Sequence, residues 1–372
     1  MSNRKWAVVL SSLTVATLAL FECGCTQESA LEDKQAAVTT TTKTATTTAT
    51  GITASTEAPD TERLPEAYVA KLVKPARRYK IGVLFPMAGV PFWTNEAYGI
   101  MDQAQKSGVD IIWLSADGYQ NVDKQIRQIE DLVAQKVDAI ILGATSYSGT
   151  VRAVDNAVAH GVKVINHVTS TNSEKVSSRV MTDYDSIGRK QAVAMGKLLR
   201  GEGKIVMLSG PAGAEWALHS VAGFKAVLAQ KYPKIQIVAE RNCNPDRTAA
   251  LRMMEDLLVT FPDLKGVFTV TDILALGASD AIVRAHRIEQ IEITTAGFSQ
   301  DSIDAMKRGW IDLNVDESPL LTGRVALNTA IDVLNGDTVH HTILVPNPVM
   351  SADQASEVEA KQHWAPSNWK LH

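Results

Sequence analysis

The sequence predicts an α/β protein of two lobes, each built on a doubly wound parallel sheet. Three observations carry this. Nine short apolar runs follow one another after Tyr79, amphipathic stretches separate them, and the chain of 372 residues is long enough for about two domains. The runs are Ile81–Phe85, Ile111–Leu114, Ala139–Leu142, Val162–Ile165, Ile205–Leu208, Ile235–Val238, Val267–Val270, Ile291–Thr295 and Ile343–Val345. They are rich in Val, Ile and Leu and end at polar residues or Gly, the pattern of strands buried on both faces. Nine strands are too many for one compact sheet, so the chain divides into two lobes, with functional loops at the C-terminal strand ends.

The intervening stretches have helical periodicity. In Asn121–Gln135 the apolar positions Val122, Ile126, Ile129, Leu132 and Val133 share one face, and Asn121 is placed as an N-cap. In Thr248–Thr260, Leu251, Met254, Leu257 and Leu258 repeat the pattern.

Ahead of the folded part, residues 1–25 read as an export leader. Arg4 and Lys5 form a basic start, and Trp6 to Phe21 form an apolar stretch too short for an ordinary membrane span. Gly24-Cys25 closes it and resembles a bacterial lipoprotein signal, which implies a lipid on Cys25; Glu22, three residues earlier, departs from the aliphatic residue of that pattern. Residues 26–78 are expected to be a flexible tether. Their stretch VTTTTKTATTTATGITAST cannot bury enough apolar surface to fold. Of three cysteines, Cys23 and Cys25 fall in the leader, so Cys243 alone remains and no internal disulfide can form.

Several function classes are disfavoured. A net charge of −4 is unlike a nucleic-acid surface. Gly201-Glu-Gly203 precedes its strand and Gly210-Pro-Ala-Gly213 has the wrong spacing for a dinucleotide loop; no Walker lysine and no G-x-S-x-G elbow occur. His340 and His341 are adjacent and would point to opposite faces of a strand, unsuited to chelation. No cofactor, no metal and no catalysis are expected.

Five segments in fixed order resemble the type I periplasmic binding proteins, the group that includes ribose-binding protein. They are Ile81–Pro86 with Pro91-Phe92-Trp93, Gln125 to Leu142, Asp272 to Ala278, Gly297-Phe298, and Lys307-Arg308-Gly309. The resemblance implies two lobes joined by three crossings, with a small ligand between them. Lobe one is expected at 79–183 and 316–338, and lobe two at 184–315 and 339–372. The crossings are expected near Thr182–Tyr184, Val315–Glu317 and Val339–Thr342.

Within that family, Phe92 to Ile100, Gly118-Tyr119 and Val176 to Val180 are similar to the TorT-like sensors of trimethylamine N-oxide reductase systems. That likeness places Trp93, Tyr119, Tyr184 and Phe298 as aromatic ligand contacts, with Phe92 beside Trp93 as a further candidate. The wider family resemblance implies Asp272 as a carboxylate contact. Trp216, at the helix start after Gly210-Pro-Ala-Gly213, and Asp316, near a hinge crossing, are candidates from their places in the chain. Ring faces carry negative potential and attract methylated cationic or dipolar nitrogen groups. The charged pair with which sugar-binding relatives bracket hydroxyls is absent at Asn166-His167-Val168-Thr169, which favours a less hydroxylated ligand. The likeness implies a sensor component that closes on a small methylated amine or N-oxide and signals to a membrane histidine kinase sensor domain. The alternative is the solute-binding receptor of an ABC importer for a sugar or other small polar solute, with the permease as partner. The expected location is the periplasm, anchored through Cys25.

Overall fold

The computed structural model describes residues 60–355, 364–366 and 368–370; the leader, Cys25 and the Thr-rich run lie outside them. The elements are β1 (Thr61–Arg63), β2 (Lys80–Phe85), α1 (Pro91–Ser107), β3 (Asp110–Ser115), α2 (Val122–Ala134), β4 (Ala139–Leu142), α3 (Val151–Ala159), β5 (Lys163–His167), β6 (Ser178–Thr182) and α4 (Tyr184–Leu198). There follow β7 (Glu202–Leu208), α5 (Glu215–Lys231), β8 (Lys234–Arg241), α6 (Arg247–Thr260), β9 (Leu264–Thr269), α7 (Asp272–Arg284), β10 (Glu292–Ala296), α8 (Gln300–Lys307), β11 (Leu313–Val315), α9 (Pro319–Asn335), β12 (Thr342–Val345), β13 (Val349–Ser351) and α10 (Ala352–Ala355).

Two sheets form. The first has the order β1-β12-β6-β5-β4-β2-β3 and is parallel throughout. The second has the order β13-β11-β10-β9-β7-β8 and is parallel except for β13, which runs antiparallel to β11.

Burial on both faces explains the unbroken apolar strands. In β2, Ile81, Val83 and Phe85 join the core under α1 and α9, whereas Leu84 joins the opposite core under α2 and α3. A methyl group at Gly82 would lie 2.4 Å from a Leu132 methyl, so Gly82 makes room for α2 to seat on the sheet. The second sheet has its own core, centred on Phe224, Phe268 and Met207.

One packing device occurs in both lobes. In each lobe one helix, α1 after β2 or α5 after β7, packs on the helix that enters the lobe from a crossing, α9 or α4, and glycines face backbone at the contact. A methyl at Gly323 of α9 would lie 2.3 Å from the Glu96 carbonyl oxygen of α1, and one at Gly99 would lie 2.2 Å from that of Leu320. On α4 and α5, a methyl at Gly188 would lie 1.8 Å from the Ser220 carbonyl oxygen, and one at Gly223 would lie 2.2 Å from that of Asp185.

The chain passes between the sheets at Asp183, at Asp316–Ser318 and at Pro346–Pro348. The third passage corrects the expectation of Val339–Thr342. The strand Thr342–Val345 pairs with β6 in the first sheet, so residues 339–345 do not belong with lobe two. Two further corrections concern the flanks. Thr61–Arg63, expected within the tether, pairs with β12 and forms an edge of the first sheet. The C-terminal stretch touches both lobes: Trp364 stacks on Phe298 of the second core at 5.4 Å, while Trp369 meets Tyr98 of α1 at 5.3 Å and the Ala365 amide donates to Asn95. Four strands, β1, β6, β11 and β13, stand beyond the nine apolar runs; each has five residues or fewer.

Candidate functional site

The crossings are bonded to one another. The Asp316 amide donates to the Pro348 carbonyl at 2.9 Å, the Asn347 side chain donates to the Asp316 carbonyl at 3.2 Å, and Lys190 of α4 donates to the Asn347 carbonyl at 2.6 Å. Asp183 caps α4 through the Ser186 amide and pairs with Arg63. Ser318 takes φ +53 just before Pro319 opens α9. Two more non-glycine residues with positive φ, Asp117 after β3 and Val168 after β5, also sit at C-terminal strand ends. A β-branched residue at φ +57 is costly, and such strain gathers where a site over-determines the backbone. The other such residues, Lys136, Arg200 and His286, merely end helices.

Aromatic residues line the space between the strand ends. Pro91 starts α1 at its first helical position, where the missing N–H costs nothing. Trp93 therefore stands in the first turn of a helix. Its ring is 4% exposed and packs on Phe85 with centroids 4.6 Å apart, so most of it is core. Its indole N–H reaches the Tyr119 phenol oxygen. Tyr119 is 41% exposed as a residue, yet burial of its phenol end pushes it up to about 12 against the opposing bond from Trp93. Phe92 meets Trp93 edge-on at 5.2 Å. Across the cleft, Tyr184 opens α4 with its ring 6.2 Å from that of Trp216. Burial first, then Glu317, Tyr119 and Glu96, raise the Tyr184 phenol well above its ordinary value.

The remaining expected contacts divide. Asp272 is buried at the start of α7, and its carboxylate accepts from the Ser299 amide at 2.9 Å, which ties that helix to the β10–α8 turn. Asp316 is buried at the second crossing and accepts from the Ser318 amide at 2.7 Å, so it shapes the crossing. Phe298 belongs to the second core and to the stack with Trp364 rather than to the Trp93–Tyr119 group. Asn121 stands at the N-cap of α2 but does not cap it; its side chain donates to the Ala116 and Asp117 carbonyls.

Three residues of the cleft were missed by the sequence reading. Glu96 and His167 are both fully buried and meet at 2.6 Å, Oε2 to Nε2. The second atom of each group, Glu96 Oε1 and His167 Nδ1, has no hydrogen-bond partner. Burial raises the Glu96 carboxyl, and His167 opposes the shift. The Asn166-His167 segment thus supplies a buried polar partner where the charged pair of sugar-binding relatives is absent. Asn166 itself is used internally and accepts from Arg179 at 2.7 Å. The third residue, Glu317, is 8% exposed at the second crossing. Burial pushes its carboxyl up to about 8, reinforced by Asp272, Asp316 and Glu96. One signal could have found Glu96: it falls on the same helical face as Trp93, Ile100 and Gln103, a carboxylate placed on an otherwise buried stripe.

Two shallow recesses of about 560 and 530 Å³ lie elsewhere on lobe one, bordered by Arg77 and the N-terminal ends of strands. Parallel sheets bind ligands at the other end, so neither recess is the site. Among the described residues no cluster of His, Cys, Asp or Glu suits a metal ion, and no helix is long and apolar enough to cross a membrane.

Two parallel-sheet lobes with crossing segments and an aromatic, acidic cleft at the strand C-termini define a binding protein of the two-lobed type I class. The sequence profile described as "Periplasmic binding protein domain" matches residues 81–338, and the chain belongs to that family of non-enzymatic solute-binding proteins. It is 31% identical over 272 residues to the ribose import binding protein RbsB of Bacillus subtilis, covering 73% of this chain and 86% of the relative. It is 30% identical over 227 residues to the D-apiose import binding protein of Actinobacillus succinogenes, covering 60% and 72%. In fold it is similar to an ABC transporter solute-binding protein from Bradyrhizobium sp. BTAi1 solved with bound bis-tris, with a TM-score of 0.75 at 23% identity over 82% of this chain and 91% of the other. It also resembles a carbohydrate transporter solute-binding protein from Agrobacterium radiobacter in complex with D-arabinose, with a TM-score of 0.67 at 24% identity over 76% and 97%.

Proposed function

We propose that this protein is the solute-binding receptor of an ABC importer and takes a small, polar, polyhydroxylated solute between its lobes. The observation that carries this is the cleft itself. Trp93 and Tyr119 stand on one lobe and Tyr184 and Trp216 on the other, with buried carboxyl groups at the junction between them. Rings stack on the apolar faces of sugar rings while carboxylates accept from hydroxyls, a combination common in small-molecule sites. The relatives named above as import binding proteins agree with it, and the permease is then the partner. The reading also takes the chain as exported to the periplasm, with lipid on Cys25 holding it at a membrane surface.

Trp93, Tyr119 and Tyr184 also underlie the sensor alternative, in which a methylated amine or N-oxide is reported to a membrane histidine kinase. The names of the import relatives weigh towards the importer. Titration calorimetry against pentoses, hexoses and their alditols, with trimethylamine N-oxide in the same panel, separates the two. A sugar or alditol bound at micromolar Kd, weakened at least tenfold by Tyr119→Ala, is the expected result. Binding of trimethylamine N-oxide alone would turn the assignment to the sensor, and a blank for every sugar and alditol would overturn it.

A further inference from the structure

The inter-lobe cleft holds more negative than positive groups. Glu317 lies on the Asp316–Ser318 crossing, and its electrostatic neighbours come from three directions: Glu96 on α1 of lobe one, Asp272 on α7 of lobe two, and Asp316 beside it. Among the described residues no hydrogen bond or ion pair engages the Glu317 carboxylate. Basic side chains bordering the crossings are committed elsewhere. Arg63 pairs with Asp183, Lys190 with Glu66, Arg189 with Asp185, and Arg247 with Asp280 and Asp301. Arg179 is held inside lobe one by Asn166, Thr171 and Ser173. His167 lies in the cleft on lobe one, and its contact is to Glu96.

A carboxyl group shielded from water and without a partner holds its proton, and a ligand cation placed beside it stabilises the carboxylate and offsets the cost of ionising it. The ring faces of the Tyr and Trp side chains act in the same direction. We propose that the solute carries a positive charge, as an amine on a hydroxylated frame, and that Glu317 is the residue that selects it. This rests on the import-receptor reading and narrows its substrate class. Glu317 is the better choice among the carboxylates for a geometric reason. Asp272 is occupied by the Ser299 amide and Glu96 by His167, whereas Glu317 lies where both lobes meet and can touch a solute held by either.

The test uses twin compounds on the full chain by titration calorimetry at pH 7: D-glucosamine beside D-glucose, and 1-amino-1-deoxy-D-sorbitol beside D-sorbitol. The expected result is that the amine of at least one pair binds ten times tighter than its neutral twin or better. Glu317→Gln should reduce that preference to twofold or less while Glu317→Asp keeps most of it; melting curves of both variants check that they are folded. Equal or weaker binding of the amines, or a preference that survives Glu317→Gln in folded protein, overturns the proposal. If neutral sugars bind and the amines do not, the cationic solute is wrong and the import receptor stands. If all four twins and the wider sugar panel are blank, both readings fall.

Discussion

Gly323→Ala tests the link between helix packing and the cleft. The added methyl would stand 2.3 Å from the Glu96 carbonyl oxygen, 3.1 Å from its carbon and 3.2 Å from the Ile100 amide nitrogen. All three atoms are backbone, so no side chain can rotate away and α1 must move off α9. Overpacking of this kind costs about 1–3 kcal/mol, and a rigid backbone contact belongs at the upper end. Replacing Gly by Ala inside a helix returns about 1 kcal/mol. The expected net loss is about 2 kcal/mol, which lowers Tm by about 3 °C at the unfolding entropy of about 300 residues. Urea unfolding at constant m is the assay. Solute affinity should fall as well, because the displaced turn carries Glu96 and lies one turn from Trp93. An unchanged or raised midpoint would show that the helices have slack at this contact and would refute the reasoning.

Three other outcomes are expected. The raised Glu317 carboxyl makes the folded state bind a proton more tightly than the unfolded chain. Its contribution is therefore fully present below about 4.5, shrinks as pH rises, and is gone above about 8. With Asp316, Asp272, Glu96 and Tyr184 all facing this group, ligand-free Glu317→Gln should gain on the parent between pH 5 and 8.5, by up to about 5 kcal/mol; a difference that does not change with pH in urea titrations would contradict it. Solute should close the lobes about the three crossings, because a receptor responds only through different affinity for its two states; identical radii of gyration by X-ray scattering with and without saturating solute would count against closure. Metabolic labelling with a fatty acid should mark the parent and not Cys25→Ser, and equal labelling would remove the lipid anchor while leaving export intact.

The fold was legible because two-sided burial writes long apolar runs. Each of the nine runs falls on a strand, from Ile81–Phe85 to Ile343–Val345. The four missed strands are short, and β6, reading SRVMT, alternates buried and half-exposed residues instead of forming a run. Lobe membership of β12 was not legible either, since strand order depends on which β-edge a returning chain finds and leaves no local trace. In the cleft, large rings were easy to pick out, but burial recast them: Trp93 is mostly core, and Phe298 is engaged by Trp364. The carboxylates were harder. Glu317 looks like any surface glutamate in sequence, and its chemistry arises only where residues some 45 and 220 positions away close over it.

The placement of the indoles has an optical consequence. Trp93 stands on one lobe beside the Tyr119 phenol, and Trp216 stands on the other beside Tyr184. Trp364 and Trp369 are fixed to opposite lobes by Phe298 and Tyr98. Fluorescence from these rings depends on their solvent and on phenol-to-indole energy transfer over the distances that hinge motion changes. The chain thus carries its own emission gauge of lobe approach, and a solute titration becomes readable without attaching a dye.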